Sequence, residues 1–309
     1  MPPFRFGVQL SRAASGREWR ELARRIEGLG YSTLFIPDHF EDQFGPLVAL
    51  SAAAEATTTL RVGSLVFGND YRHPVVLAKE IATLDLFSEG RVEFGIGAGW
   101  MTADYEQAGI EQDPPSVRIE RMAESVAVMK ALWSTGTCTF SGKHYRIEGA
   151  TGEPRPYQSP HPPIVIGGGG RRVLTFAAQE ADIVGVNPSL AAGAVGPEVL
   201  AGTTPADYDR RLEWVRSAAG TRFDELELQC LTFVVQIVPD REKAVARLAG
   251  ALSVAEEHVA GTPIALIGTL EEIMETLRAR RERFGFSYIV VHEAELESFA
   301  PVVAELTGT

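Results

Sequence analysis

Short apolar runs alternate along the chain with stretches whose apolar residues recur every three to four positions. FRFGVQL (4–10), TLFIP (33–37), RVGSLVF (61–67), RVEFGIG (91–97), PIVIG (163–167), DIVGV (182–186), LELQCLTFVVQIV (226–238) and SYIVVH (287–292) read as strands. Most are nearly continuous rather than alternating, the pattern of parallel strands covered on both faces. Between them lie helical periods. Trp19, Leu22, Ala23, Ile26 and Leu29 share one face, and Gly30 ends that helix. Residues 74–87 open on Pro74, which suits a first helical turn. Residues 116–133, 171–180, 205–219, 240–257 and 269–284 repeat the helical pattern. Strands and helices alternating in this way over 309 residues predict an α/β fold, a closed (β/α)8 TIM barrel spanning 1–309 as one domain. A doubly wound sheet is the alternative. Two insertions interrupt the rhythm. Residues 136–162 read as a hairpin, TCTFSGKHYRIEG, with a proline-rich run after it, and 187–204 form a Gly/Ala/Pro-rich loop. Such segments serve as lids and binding loops, or simply as surface.

In a barrel of this kind the chemistry gathers at the carboxyl ends of the strands. Read in order, those ends deliver Gln9 and Ser11, Asp38 and His39, Asn69 and Asp70, Gly97, Gly99 and Trp100, Gly167 to Arg171, Asn187, and His292 with Glu293. Several chemistries fall away. A Schiff-base aldolase needs a strand lysine, and the only lysines, Lys79, Lys130, Lys143 and Lys243, lie elsewhere. A barrel metal-hydrolase wants paired histidines on the first strand, where Gln9 stands instead. HExxH, GxSxG and GxxxxGK[ST] are absent. The carboxylates Asp38 and Glu293 could be cast as a glycosidase pair, but the glycines would then go unexplained.

The glycine-rich stretches differ in what they can do. GIGAGW (95–100) fails the dinucleotide fingerprint because Trp100 takes the place of its last glycine. GGGGRR (167–172) follows a strand and opens a helix, so free N–H groups with Arg171 or Arg172 suit an anion such as a phosphate; a plain tight turn is the other reading. A net charge of −12 argues against nucleic-acid partners and anionic membrane surfaces. Cys138 and Cys230 lie far apart with no CxxC spacing, which argues against disulfides and zinc. With no signal-like start and no apolar stretch of bilayer length, a cytoplasmic protein is expected.

HPVVLAKEIATLDLFSEGRVEFGIGAGW (73–100), with IPDHF (36–40), RVGSLVF (61–67), PPIVIGGGG (162–170) and ALIGTLEEI (265–273), resembles the luciferase-like monooxygenase superfamily across most of the chain. The resemblance implies a TIM barrel with insertions, commonly a homodimer, that binds FMN or the deazaflavin coenzyme F-420 at the strand ends. Asp38-His39 looks like the deazaflavin branch. The resemblance places Asp38 beside the ring and makes His39 a proton donor, a proton acceptor or a ring-orienting group, work that suits imidazole. It places a non-prolyl cis peptide at Leu65–Val66 behind the ring, and the cofactor phosphate on Gly167, Gly168, Gly169, Gly170 and Arg171. The acidic tail of the cofactor would run toward Arg72 and His73. Gly97 and Gly99 would keep side chains off the cofactor, with Asp104-Tyr105 at the same mouth. Gln9, Trp100, Asn187 and His292 would line the substrate pocket. Trp100 stands where the sugar-phosphate dehydrogenase of that branch carries a glutamate, which argues against glucose 6-phosphate. The function implied is hydride transfer between coenzyme F-420 and a small carbonyl, alcohol, imine or enone. An FMNH2-dependent monooxygenase and a non-catalytic flavin carrier are the alternatives.

Overall fold

The computed structural model describes residues 2–190, 193, 199 and 202–309. The chain begins with β1 (Arg5–Gln9), α1 (Gly16–Gly28), β2 (Thr33–Ile36), α2 (Pro46–Ala56), β3 (Arg61–Ser64), β4 (Phe67–Gly68), α3 (Pro74–Phe87) and β5 (Val92–Gly97). After α4 (Thr102–Ala108) and α5 (Pro115–Thr135) comes the hairpin of β6 (Thr137–Ser141) and β7 (Arg146–Thr151). Then follow β8 (Ile164–Gly168), α6 (Arg171–Glu180), β9 (Ile183–Val186), β10 (Glu227–Leu231), β11 (Val234–Ile237), β12 (Ala265–Gly268) and β13 (Phe286–His292). The main sheet runs β3-β2-β1-β13-β10-β9-β8-β5-β4, and β3 also pairs with β5, which closes the cylinder. Its pairings are parallel. β3 and β4 are halves of one stave broken at Leu65–Val66, whose peptide is cis. The described residues therefore form the closed eight-stave parallel barrel expected from the sequence.

The run 226–238 is not one strand. β10 ends at Leu231, and the chain swings out so that the Phe233 and Val234 amides both reach the Ile264 carbonyl, at 2.8 and 3.1 Å. β11 then pairs with β12 in a separate two-stranded sheet, a strand the sequence pattern did not reveal. The helix expected over 240–257 is two, Arg241–Leu252 and Glu256–Gly261, parted at Ser253, which takes a left-handed φ of 55°. The helix Pro46–Ala56 was also unforeseen, because its small apolar residues have no polar face to set a period.

Most of the core lies between barrel and helices. On α1, Ser15 caps the amino end by accepting from the Glu18 amide, and Trp19, Ala23 and Ile26 are buried. The Trp19 indole N–H reaches the Ala49 carbonyl at 2.7 Å, and the Trp133 indole on α5 reaches Ala78 at 2.9 Å. Cutting either tryptophan to alanine costs about 3–5 kcal/mol, by lost transfer energy plus cavity.

A second core fills the barrel itself. Phe35, Leu65, Val165, Ile183, Tyr288 and Val290 meet at mid-height. Below them, toward the amino ends of the strands, Arg5 pairs with Glu93 and Glu227, and Arg61 lies 2.8 Å from Glu93. The Tyr288 hydroxyl donates to Glu93 at 2.9 Å, and the Arg5 guanidinium stacks over the Tyr288 ring. This charged plug closes one end of the barrel.

Candidate active site

The other end is open. At the carboxyl ends of the strands lies a cavity of about 410 Å3. Gln9, Asp38, His39, Leu65, Val66, Gly97, Gly99, Trp100, Gly167, Gly168, Gly169, Gly170, Asn187 and His292 line it, so the structure brings these expected residues together. Arg171 is exposed at the start of α6 and stands outside the lining. Half of the 187–204 loop lies outside the described residues, but Asn187, Pro188, Ser189 and Leu190 join the wall.

His39 follows β2, and its Nδ1 lies 2.6 Å from Asp104 Oδ2. Asp104, on α4, is 1% exposed; it also accepts from the Phe40 amide and the Tyr71 hydroxyl. A carboxylate held this firmly keeps the proton on Nδ1 and leaves Nε2 as the open nitrogen. The Trp100 ring packs edge-on against the imidazole, 5.5 Å between centroids. Asp104 and Tyr105 therefore do not line the mouth as expected. Asp104 backs His39, and Tyr105 is buried beneath Gly99 with its hydroxyl donating to Asp70 at 2.9 Å. Burial and the neighbouring Asp70 charge push that phenol up to about 12, against the pull of Arg118.

Asp38 is differently placed. Both its oxygens are taken, by the Arg72 guanidinium and by the Gly68 amide at 2.9 Å. It is a fixed wall rather than a free acid. The same pairing commits Arg72, and His73 caps α3 by accepting from the Val75 amide, so neither stands ready for an acidic tail.

The glycines have packing reasons of their own. A Cβ on Gly97 would come within 2.6 Å of the Val66 side chain, and one on Gly99, at φ +75°, within 1.9 Å of the Tyr105 hydroxyl. They are bare because the wall behind them is full, and the cavity in front inherits the bare surface. On the far side Gln9 Nε2 donates to the Leu65 carbonyl at 2.9 Å. Burial pulls the His292 imidazole below its ordinary 6.5, which favours its neutral form. A wider depression of about 690 Å3 adjoins there, over Gln9, Ser11, Pro37, His292 and Glu293.

Sequence reading missed Arg118. It projects from α5 into the lining, is 7% exposed, and donates to the Gly99 carbonyl at 2.7 Å. The same nitrogen, Nη1, lies 3.5 Å from the Tyr105 hydroxyl, its Nε has no partner, and among the described residues no carboxylate pairs with it. Helical periodicity marks such a residue only as polar, and only the fold turns it inward. The helix α6 starts at Gly170 with no side-chain cap, so its first amides are also open beside the cavity.

The sequence model of the luciferase-like monooxygenases matches residues 1–288. The chain belongs to that family. Among luciferase-like relatives, it is 30% identical over 275 residues to an F-420-dependent glucose-6-phosphate dehydrogenase of Nakamurella multipartita, covering 84% of this chain and 76% of that one. It is 26% identical over 187 residues to an FMNH2-dependent dimethylsulfone monooxygenase of Pseudomonas putida, covering 57% and 51%. Its fold matches that of the coenzyme F-420-dependent tetrahydromethanopterin reductase of Methanopyrus kandleri, with a TM-score of 0.79 at 19% identity over 99% and 98% of the two chains. The luciferase-like family thus contains enzymes of both cofactors, and its barrel is the one described above.

Proposed function

We propose that the protein is an oxidoreductase that exchanges hydride between coenzyme F-420 and a small organic substrate. The observation that carries this reading is the His39–Asp104 pair, 2.6 Å apart, set into the wall of a glycine-lined cavity at the carboxyl ends of the strands. The residues present fit a planar ring with an anionic end. Backbone at Gly97, Gly167 and the Leu65–Val66 bond offers flat surfaces, and the cavity volume suits a ligand of that size. Arg118 would bind the phosphate together with the open amides of α6, and this would neutralise a buried cation that otherwise has no counter-charge. Arg118 takes the part first expected of Arg171.

When bound, the deazaflavin supplies a carbon that gives or accepts hydride and reacts poorly with oxygen. The protein supplies the proton. As an alcohol is oxidised, its carbon gives up hydride and its hydroxyl proton passes to His39 Nε2; Asp104 steadies the imidazolium that forms. In the reverse direction His39 returns the proton to the carbonyl oxygen. Neutral His292, with Gln9, would orient the substrate oxygen from the adjoining depression. Trp100 and Leu231 give the main cavity an apolar part of its wall, which would keep water away.

The test is turnover of coenzyme F-420, followed by its absorbance, against a panel of small alcohols, ketones, imines and enones. Activity that His39→Ala abolishes supports the reading. Tight FMN binding with oxygen-dependent turnover, and no F-420 turnover, would replace it with the monooxygenase reading, which the dimethylsulfone monooxygenase relative favours.

The chain also pairs with a second copy in this proposal. Val48 on α2 and Val76 and Phe87 on α3 are 80%, 53% and 67% exposed, and residues 76 and 87 share one helix face. Light scattering should find a dimer, and Phe87→Glu should shift it toward monomer.

A further inference from the structure

One row of residues crosses the barrel at the base of the cavity. In the strand registers Ile96 stands beside Ile166, which sets Gly97 beside Gly167; Gly167 stands beside Gly185, and Gly185 beside Gln229. Residues level in a parallel sheet point to the same side. Three glycines stand in line, the room their missing side chains leave is taken by Val66, Asn187 and Gln229, and the row ends at the Gln229 amide. Gln229 is 0% exposed, and neither its Oε1 nor its Nε2 has a partner. Asn187 lines the cavity above it, with a buried Oδ1 that is also unpartnered. The two amides converge. A Cβ on Gly185 would stand 3.4 Å from both Gln229 Oε1 and Asn187 Nδ2.

Around them the barrel is apolar, with Val165, Ile183, Tyr288 and Val290 at mid-height. A primary amide buried there with every hydrogen bond unmade is a standing cost, and a leucine would pack without it. Side by side, two amides offer donor and acceptor groups that match a C=O, N–H, C=O edge.

We propose that Gln229 and Asn187 recognise the pyrimidinedione edge of the planar ring, the part that deazaflavin and FMN share. The inference rests on the cofactor reading above and deepens it. Gln229 pairs with the ring N–H and one carbonyl in a closed two-bond arrangement. Asn187 donates to the second carbonyl. Recognition of this edge sets how deep the ring sits, and so which atom comes level with His39.

The experiment is a fluorescence and calorimetric titration of the wild-type protein and Gln229→Leu with 8-hydroxy-5-deazariboflavin, with FMN, and with the N3-methyl derivative of each. Methylation removes the ring N–H and leaves the rest of the ring intact. The wild type is expected to bind the parent ring about tenfold or more tighter than its N3-methyl derivative. Gln229→Leu is expected to lose most of that preference, to bind the parent ring correspondingly weakly, and to melt without ligand no lower than the wild type. Equal wild-type binding of parent and methylated rings overturns the inference and leaves the cofactor reading standing. So does a Gln229→Leu protein that keeps the preference, or one that melts lower while its ligand-induced rise in melting temperature is intact. If the wild type binds neither ring system, both readings fall. Should Gln229→Leu not fold, the methylation comparison on the wild type decides alone. The deazaflavin and FMN arms show which ring the edge serves.

Discussion

At the amino-terminal mouth of the barrel the Glu93 carboxylate is met by Arg5, Arg61 and the Tyr288 hydroxyl, whereas at the carboxyl-terminal mouth Arg118 and Gln229 are buried with atoms unpartnered. Both ends are built from the same staves, and both place polar groups out of water. At the closed end each charge answers another within the chain, so desolvation is offset inside the protein. At the open end Asp38 and His39 are paired too, with Arg72 and Asp104, but Arg118, in the cavity lining, has no carboxylate partner among the described residues, and Gln229 has no hydrogen-bond partner. The contrast separates polar residues that hold the barrel from those that wait for a ligand.

The sharpest way to break this contrast is at His39. His39→Ala should lower kcat by about 10²–10⁴-fold, the usual worth of a positioned acid or base, and leave cofactor affinity unchanged. Asp104→Asn should lower kcat less and shift its pH profile, because the imidazolium loses its partner. If both variants keep wild-type kcat, the pair is structural.

Next in size is the closed end. Glu93→Gln leaves Arg5 and Arg61 short of a buried counter-charge and should cost about 3–5 kcal/mol in urea unfolding, with ligand affinity of the folded protein unaltered. Arg118→Met should do the opposite. The apo protein should be as stable as the wild type or more so, while FMN or F-420 binds about ten- to a hundredfold more weakly. Riboflavin, which lacks the phosphate, should bind the two proteins alike. An equal loss for riboflavin would mean that Arg118 shapes the pocket rather than holding an anion.

The smallest effect belongs to Glu27, also on the closed side. Burial opposes its ionisation, but the Thr59, Thr58 and Leu60 amides outweigh that and bring the carboxyl down to about 2 from 4.5. Its folded value is lower than its unfolded one, so its stabilisation is full above about pH 4.5 and fades as the pH falls toward 2. Unfolding curves of Glu27→Gln and the wild type should converge across that window and stay apart above it.

The barrel was legible because strands covered on both faces must be apolar along their whole length, and eight such runs appear. The break after Leu231 stayed hidden because β10 and β11 run on in one stretch with apolar residues at most positions, and the turn between them carries no glycine or proline. β12 went unseen because its four residues run straight into a helix capped by Thr269. In the site, the strand-end position of a residue was readable but its pairing was not. Asp38 and Arg72 both looked available until the fold brought them together. Gln229 sits inside a strand and Arg118 inside a helix, where a polar letter gives no sign of which way it faces.

We propose that the open end is a deazaflavin site whose histidine moves protons. The most direct test is a titration of the purified protein with coenzyme F-420 and, separately, with FMN, followed by quenching of cofactor fluorescence. Saturable binding of F-420, tighter than FMN and weakened by Arg118→Met, is expected. Binding of FMN alone, or F-420 binding indifferent to Arg118, would contradict it.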